Sequence, residues 1–173
     1  IGILTTESSD VRRRSSDNFI WLDVQSKSAV YQGDTILTGA NSSAKIKLKD
    51  GSIIEIAANS LIVLTQTEAS ISLDLKYGNL AGNFTANSQV EIKSGTEIFN
   101  VSASNSVIEF KRTVGTVANV KVLKGEAKIK TKRGEVKLTQ SQSLNLATPA
   151  EGSKSPEIKT EPMSHAVIYL ILF

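Results

Sequence analysis

The sequence has no cysteine, one histidine and one tryptophan among its 173 residues. The absence of cysteine excludes a disulfide framework, a thiolate metal site and a cysteine nucleophile. A zinc site needs three or four histidine, cysteine or carboxylate ligands, and catalysis of the Ser-His-Asp kind needs a histidine that accepts a proton. The one histidine, His165, lies near the C-terminus, outside the part of the chain with strand-like patterning. We therefore expect no metal, no cofactor and no catalytic residue.

Aromatic residues and long apolar runs are also scarce. Only 5% of the residues are aromatic, so the core is expected to be aliphatic, and isoleucine and valine favour strands. The apolar run Ala166–Phe173 is far shorter than the roughly 20 residues needed to cross a bilayer. The sequence begins at Ile1 and not at methionine, so we expect either a processed product or an excised part of a longer chain. Attachment to a membrane is therefore expected only through segments absent from this sequence.

What the sequence does contain is an alternation of apolar and polar residues with a period of two. In Ser43–Lys49 the lysines face one way and the apolar side chains face the other, which is typical of a strand with one buried and one solvated face. Residues that favour tight turns recur about every eight to ten positions. Short strands at that spacing predict an all-β domain, elongated and either solenoid-like or sandwich-like. The residues expected to form the turns are Gly33, Asp34, Gly39, Asp50, Gly51, Ser52, Asn59, Gly78 and Gly125.

The composition divides the chain into three segments. Residues 1–146 carry the strand and turn patterns and are predicted to form the β domain. Residues 147–162 contain all three prolines, which cannot donate to a strand ladder, and are predicted to be a linker. Residues 163–173 are predicted to be a short apolar C-terminal segment. Within the β domain, Val11–Asn18 is predicted to be a charged hairpin loop.

Residues 21–64 resemble the FecR domain family in the order and spacing of their motifs. The family has a tryptophan, a Gly-Asp-x-Ile-x-Thr-Gly segment, an alternating strand, an Asp-Gly-Ser turn and a strand that begins with Asn-Ser. The corresponding residues here are Trp21, Gly33–Gly39, Ser43–Leu48, Asp50–Ser52 and Asn59–Leu64. Leu75–Leu80 and Val120–Ile129 are similar to later strands of the family, so the resemblance extends over about residues 1–146. Ser104–Phe110 stands where the family commonly has Arg-Gly-Thr-x-Phe-x-Val, and it lacks the Arg-Gly-Thr.

The resemblance implies a non-catalytic, β-rich domain that is periplasmic or exported in a bacterium. In one branch of the family, such a domain passes a signal from an outer-membrane receptor to a cytoplasmic sigma factor. In other bacteria it is joined to envelope modules and has no sigma-factor role. We therefore expect a protein-interaction module for cell-envelope signalling or scaffolding, part of a larger membrane-attached protein, with another envelope protein as its partner. The alternative is a module that binds cell-wall glycan (peptidoglycan) or another anionic polymer.

Positive charge is concentrated in residues 111–140, which carry nine basic and two acidic side chains. This stretch is either an ordinary solvated strand face or a surface for an anionic partner. The candidate binding residues in it are Lys128, Lys130, Lys132 and Arg133. No aromatic residue interleaves these lysines, as stacking on single-stranded nucleic acid would require, so no nucleic-acid partner is expected.

Three further features are candidates for function. Arg12, Arg13 and Arg14 are three like charges in one predicted loop and repel one another unless something neutralises them. The sole tryptophan, Trp21, either packs on the sheet or forms an exposed platform on which a sugar stacks. Two carboxylates could act as the pair of a glycoside hydrolase, but aspartate in a tight turn ordinarily accepts backbone N–H groups. That pair is Asp34 and Asp50, and we expect both to be structural.

Overall fold

The computed structural model describes residues 1–66, 70–85, 88–113, 118–132, 134–146 and 159–162. The described residues contain strands and no helix, so the predicted all-β fold is confirmed. Consistently, these ranges hold no apolar helix of membrane-spanning length. The strands in chain order are β1 (Gly2–Thr5), β2 (Val11–Arg14), β3 (Leu22–Asp23), β4 (Lys27–Val30), β5 (Thr35–Thr38), β6 (Ala44–Leu48), β7 (Ile53–Ile56), β8 (Ser60–Gln66), β9 (Ile71–Phe84), β10 (Ser88–Ser94), β11 (Glu97–Arg112), β12 (Ala118–Thr131), β13 (Gly134–Thr139), β14 (Gln142–Leu146) and β15 (Lys159–Pro162).

The strands form one continuous hydrogen-bonded sheet that folds into two layers. The layer that contains β1, called the β1 layer, has the order β4-β1-β6-β7-β9-β11-β12-β14-β15. The layer that contains β2, called the β2 layer, has the order β3-β2-β5-β8-β9-β10-β11-β12-β13. The long strands β9, β11 and β12 belong to both layers, because their two halves pair with different neighbours. All pairs are antiparallel except β9 with β10.

Alternation gives each layer one buried face, and the two buried faces share a single core. In β6, Ala44, Ile46 and Leu48 are buried while the lysines between them are exposed. The core is mainly isoleucine, leucine and valine drawn from both layers. Phe99 and Phe110, from the two halves of β11, meet edge to face with their ring centroids 6.2 Å apart. Two side chains of a single strand thus pack the inner faces of both layers against each other.

The long strands change layer at residues with a left-handed backbone. Gly78 in β9, Asn105 in β11 and Gly125 in β12 have φ values of 99°, 49° and 78°, a region that glycine and asparagine enter with little strain. The register shifts beside all three positions. One shift, at Leu61/Ile62, is next to Gly78 in β9, and the other, between Ser104 and Val107 in β11, lies opposite Gly125 in β12. Such bulges bend a strand without ending it.

The bends correct part of the sequence prediction. Gly78 and Gly125 were expected to form turns between short strands, but each lies inside a strand of 14 residues. A left-handed glycine is compatible with both a chain reversal and a bulge, so its presence alone does not distinguish them. The remaining predicted turn residues lie between strands or at strand ends: Gly33, Asp34, Gly39, Asp50, Gly51, Ser52 and Asn59.

Buried serines satisfy the backbone at the bends. The Ser60 hydroxyl accepts the N–H of Asn79 at 3.0 Å, next to Gly78. The Ser106 hydroxyl donates to the carbonyl of Glu126 at 2.5 Å, next to Gly125. Both serines are fully buried, so these bonds provide partners for backbone groups that the bulges remove from the regular ladder.

A second polar cluster fixes the turn between β6 and β7. Asp50 Oδ1 accepts the N–H of Ser52 at 2.9 Å, and Oδ2 accepts the hydroxyls of Ser52 at 3.0 Å and Ser88 at 2.9 Å. Ser52 and Ser88 are buried, and their hydroxyl oxygens are 2.7 Å apart. The carboxylate thereby ties the turn to the start of β10.

We predict that Gly125→Ala lowers the free energy of unfolding more than Gly51→Ala does. Both residues have positive φ, so alanine at either position costs about 1–2 kcal/mol in backbone strain. A Cβ at residue 125 would also lie 2.8 Å from Ser106 Oγ and 2.9 Å from the carbonyl oxygen of Asn105, whereas one at residue 51 meets only Thr85, at 3.7 Å. Urea denaturation of both variants measures the difference, and equal losses would contradict the close approach at the bend.

We also predict that Asp50→Ala destabilises the fold by about 1–3 kcal/mol, because it removes charge-assisted bonds to two buried serines. The matched control is Asp23→Ala. The side chain of Asp23 is 74% exposed and pairs with Arg12 only at 3.8 Å, so its loss is expected to cost less than about 0.5 kcal/mol. Thermal and urea denaturation compare the two variants, and a loss at Asp23 as large as that at Asp50 would contradict the assignment.

Candidate functional site

The three adjacent arginines lie on β2 and not in the predicted hairpin loop. β2 pairs with β5 on one side and with β3 on the other, and its first residue, Val11, is fully buried. Strand pairing uses backbone groups, so three charged side chains do not prevent it as long as each finds a suitable environment. By alternation, Arg13 shares the inner face with Val11, whereas Arg12 and Arg14 project to the other face.

Arg13 neutralises a buried carboxylate at the edge of the core. Its Nε atom lies 2.7 Å from Asp34 Oδ2, and the two side chains are 22% and 2% exposed. The N–H is not aligned for a hydrogen bond, so the contact is an ion pair. Asp34 Oδ2 also accepts the backbone N–H of Tyr31 at 2.8 Å. The Arg13 guanidinium in turn lies 5.5 Å from the centroid of the Tyr31 ring, so one ion pair fixes both the turn and the tyrosine.

The other two arginines also have partners within the protein. Arg12 is half exposed and forms ion pairs with Asp10 at 3.4 Å and Asp23 at 3.8 Å. The guanidinium of Arg14 lies 5.0 Å from the centroid of the Trp21 ring, within the range of cation–π attraction. Trp21 is half-buried. Carboxylates and an aromatic ring of the protein itself therefore offset the repulsion expected among the three arginines.

Large apolar side chains are exposed beside these arginines. The exposed fractions are 93% for Phe19, 63% for Ile20, 58% for Leu22 and 60% for Tyr31. Leu22 is opposite Arg13 in the β2–β3 register, and Tyr31 stacks on the same arginine. We call Arg13, Arg14, Phe19, Ile20, Trp21, Leu22 and Tyr31 the arginine–aromatic surface.

Sequence reasoning identified only part of this surface. It selected Trp21 and the arginines but not the exposed apolar residues Phe19, Ile20 and Leu22. Within residues 19–24, only Leu22 and Asp23 are in strand conformation. The available signal was four consecutive large apolar residues, Phe19–Leu22, which no single strand face can bury.

The predicted basic residues lie elsewhere. Lys128 and Lys130 project from β12 on the exposed face of the β2 layer, and Lys132 donates to the carbonyl of Thr96 at 3.1 Å. Five strands separate β2 from β12 in this layer, a distance of roughly 29 Å at the usual strand spacing. Arg133 lies outside the described residues. The two groups of basic candidates therefore do not form one site.

The candidate carboxylate pair is also separated. Asp34 precedes β5 in the β2 layer, and Asp50 lies at the β6–β7 turn of the β1 layer. Each accepts a backbone N–H at its turn. Across the part of the chain that the structure describes, no three histidine or carboxylate side chains are grouped as metal ligands. His165 lies outside the described residues.

Comparisons with known proteins agree with this architecture. Two crystal structures of a proposed anti-sigma factor from Parabacteroides distasonis each match with a TM-score of 0.59, at 12% and 11% identity. Each match covers 75% of this chain and 59% of the other, so this chain spans less than two thirds of that protein. At such low identity the likeness concerns the fold. No curated protein matches the sequence.

The family comparison is more specific. The family model described as FecR protein matches residues 34–137, which is more than half of the chain and lies within the 1–146 range of the motif resemblance. The arginine–aromatic surface lies N-terminal to the matched residues. The chain belongs to the FecR family.

Proposed function

We propose that this chain is a non-catalytic protein-interaction module of the bacterial envelope, periplasmic or exported, that serves signalling or scaffolding. Its partner is another envelope protein, which it binds through the arginine–aromatic surface. Membership of the FecR family and the fold shared with a proposed anti-sigma factor support a regulatory role. The observation that carries the choice of surface is the joint exposure of Phe19, Ile20, Leu22 and Tyr31.

The composition of the surface suits a protein partner. Contiguous exposed apolar side chains commonly mark interaction sites, and tryptophan, tyrosine and arginine are the residue types enriched among those that dominate binding energy. The Arg13–Asp34 ion pair and the Arg14–Trp21 stacking hold two of the aromatic rings in place before binding. Less conformational entropy is then lost on association.

The alternative function, binding of cell-wall glycan, has less support. A sugar would stack on an open aromatic face, whereas the Trp21 ring carries the Arg14 guanidinium over one face. Phe19 and Ile20, the most exposed members of the surface, offer no hydrogen-bonding group for sugar hydroxyls. A protein partner contacts both the stacked Arg14–Trp21 pair and the apolar side chains of Phe19 and Ile20.

We predict that a photo-crosslinking amino acid at position 19 captures one discrete protein in the cells that produce this chain. The side chain of Phe19 is almost fully exposed, so the replacement leaves the fold intact. The matched control position is Lys128, which is exposed on a remote strand of the β2 layer. Mass spectrometry of the adducts, with and without prior digestion of the cell wall, is the measurement.

The expected adduct contains an envelope protein, forms from position 19 but not from position 128, and survives digestion of the wall. An adduct that disappears on digestion would support the glycan alternative. Equal capture from both positions, or no capture from position 19, would contradict the proposed surface.

A further inference from the structure

The free edge of β4 lies next to the arginine–aromatic surface. Among the described strands, β4 pairs only with β1. Ser28 pairs with Leu4 and Val30 with Gly2, in the same register as the bond from the Thr6 N–H to the Ser26 carbonyl. Hydrogen-bonded pairs alternate along an antiparallel ladder. Ser28 and Val30 therefore direct their backbone groups toward β1, whereas Lys27 and Ala29 direct theirs to the open side.

A groove of about 490 Å³ adjoins this edge. Ile3 and Ala29, which face each other in the β1–β4 register, contribute apolar surface, and Tyr31 connects the groove to the arginine–aromatic surface. Ile3 is 37% exposed. The edge and the groove together offer open backbone groups beside uncovered apolar area.

The charge around the groove is positive. Lys27 lies on the edge strand itself, and Lys47 and Lys49 line the groove. All three are exposed, and none forms an ion pair with a described residue. The neighbouring Lys45, in contrast, pairs with Glu55 at 3.1 Å. A ligand for this edge is therefore expected to bring negative charge.

The edge of the β2 layer at the opposite end of the molecule differs in these respects. β13 pairs only with β12 among the described strands. Its exposed side chains include both Glu135 and Lys137, and Lys137 pairs with Glu126 at 2.8 Å. None of the exposed large hydrophobic residues lies on it. Mixed, neutralised charge without apolar area is typical of an edge protected against pairing.

We propose that an extended acidic segment of the protein partner adds to β4 as a further strand of the β1 layer. This inference rests on the proposed function, because it specifies how the partner binds. The backbone groups of Lys27 and Ala29 pair with the added strand. On the face that carries Lys27 and Ala29, alternate side chains of that strand place carboxylates beside Lys27. The apolar side chains between them lie on the other face, beside Val30. A second copy of this chain is disfavoured as the occupant, because it would bring the same unpaired lysines.

The test uses the 173-residue chain and an acetylated, amidated peptide of about eight residues in which valine alternates with glutamate, the pattern of such a strand. Titration followed by amide NMR is expected to show saturable shifts concentrated at Lys27–Tyr31. A second peptide, N-methylated at alternate residues so that it cannot donate to an edge, is expected to bind at least about tenfold more weakly.

Two substitutions at Ala29 separate the contribution of the backbone N–H to peptide affinity from that of the side chain. Ala29→Pro removes an outward N–H that β1 does not use, and proline is tolerated at such edge positions. Ala29→Pro is expected to lower the affinity for the peptide at least about tenfold. Ala29→Thr, which keeps the N–H donor, is expected to leave the affinity within about twofold of the wild-type value. If Ala29→Pro disturbs the fold, Lys27→Glu serves in its place and should reverse the preference between the glutamate peptide and its lysine counterpart.

Several results would overturn strand addition: no saturable shift at Lys27–Tyr31, equal binding of the N-methylated peptide, or wild-type affinity in both Ala29→Pro and Lys27→Glu. Capture from position 19 reports separately on the proposed function. A protein adduct without peptide binding would overturn strand addition alone. Peptide binding without an adduct would support strand addition to β4 and contradict partner binding through the arginine–aromatic surface.

Discussion

Three left-handed backbone positions, at Gly78, Asn105 and Gly125, allow β9, β11 and β12 to pass from one layer to the other as continuous strands. Because the layers share these strands, their inner faces must lie against each other, and one core results. The rings of Phe99 and Phe110 meet inside it although they belong to a single strand. Every shorter strand is connected to these three directly or through a series of paired strands.

The proposed binding surface lies where this arrangement ends. The layers stop at two short strands, β3 and β4, and Arg13 points inward there to neutralise Asp34. An inward charge is one way in which natural sheets limit uncontrolled pairing at their edges. The same ion pair positions Tyr31. A structural element that closes the core thus also orders the exposed residues available to a partner.

The sequence predicted what depends on local pattern. Alternation identified the buried face of β6, and five of the nine predicted turn residues have positive φ: Gly33, Gly51, Asn59, Gly78 and Gly125. The spacing of turn residues did not distinguish a bend inside a long strand from a chain reversal between two strands. Gly125 in a bulge and a glycine in a hairpin turn adopt the same left-handed backbone conformation. The exposure of Phe19 was not predicted either, since it depends on where the sheet ends. The FecR motifs indicated the fold but not this surface, which lies outside the matched residues.

The position of the binding site is tested most directly by amide hydrogen exchange of the chain, alone and in complex with the protein captured from position 19. Exchange reports which backbone segments a partner covers, and exposed loops and edges start from low protection. We expect slower exchange in the complex at residues 19–31 and β1, and unchanged exchange at the basic residues of β12. Protection centred on Lys128–Lys132, or no change at residues 19–31, would contradict the claim that this end of the two-layer fold is the binding site.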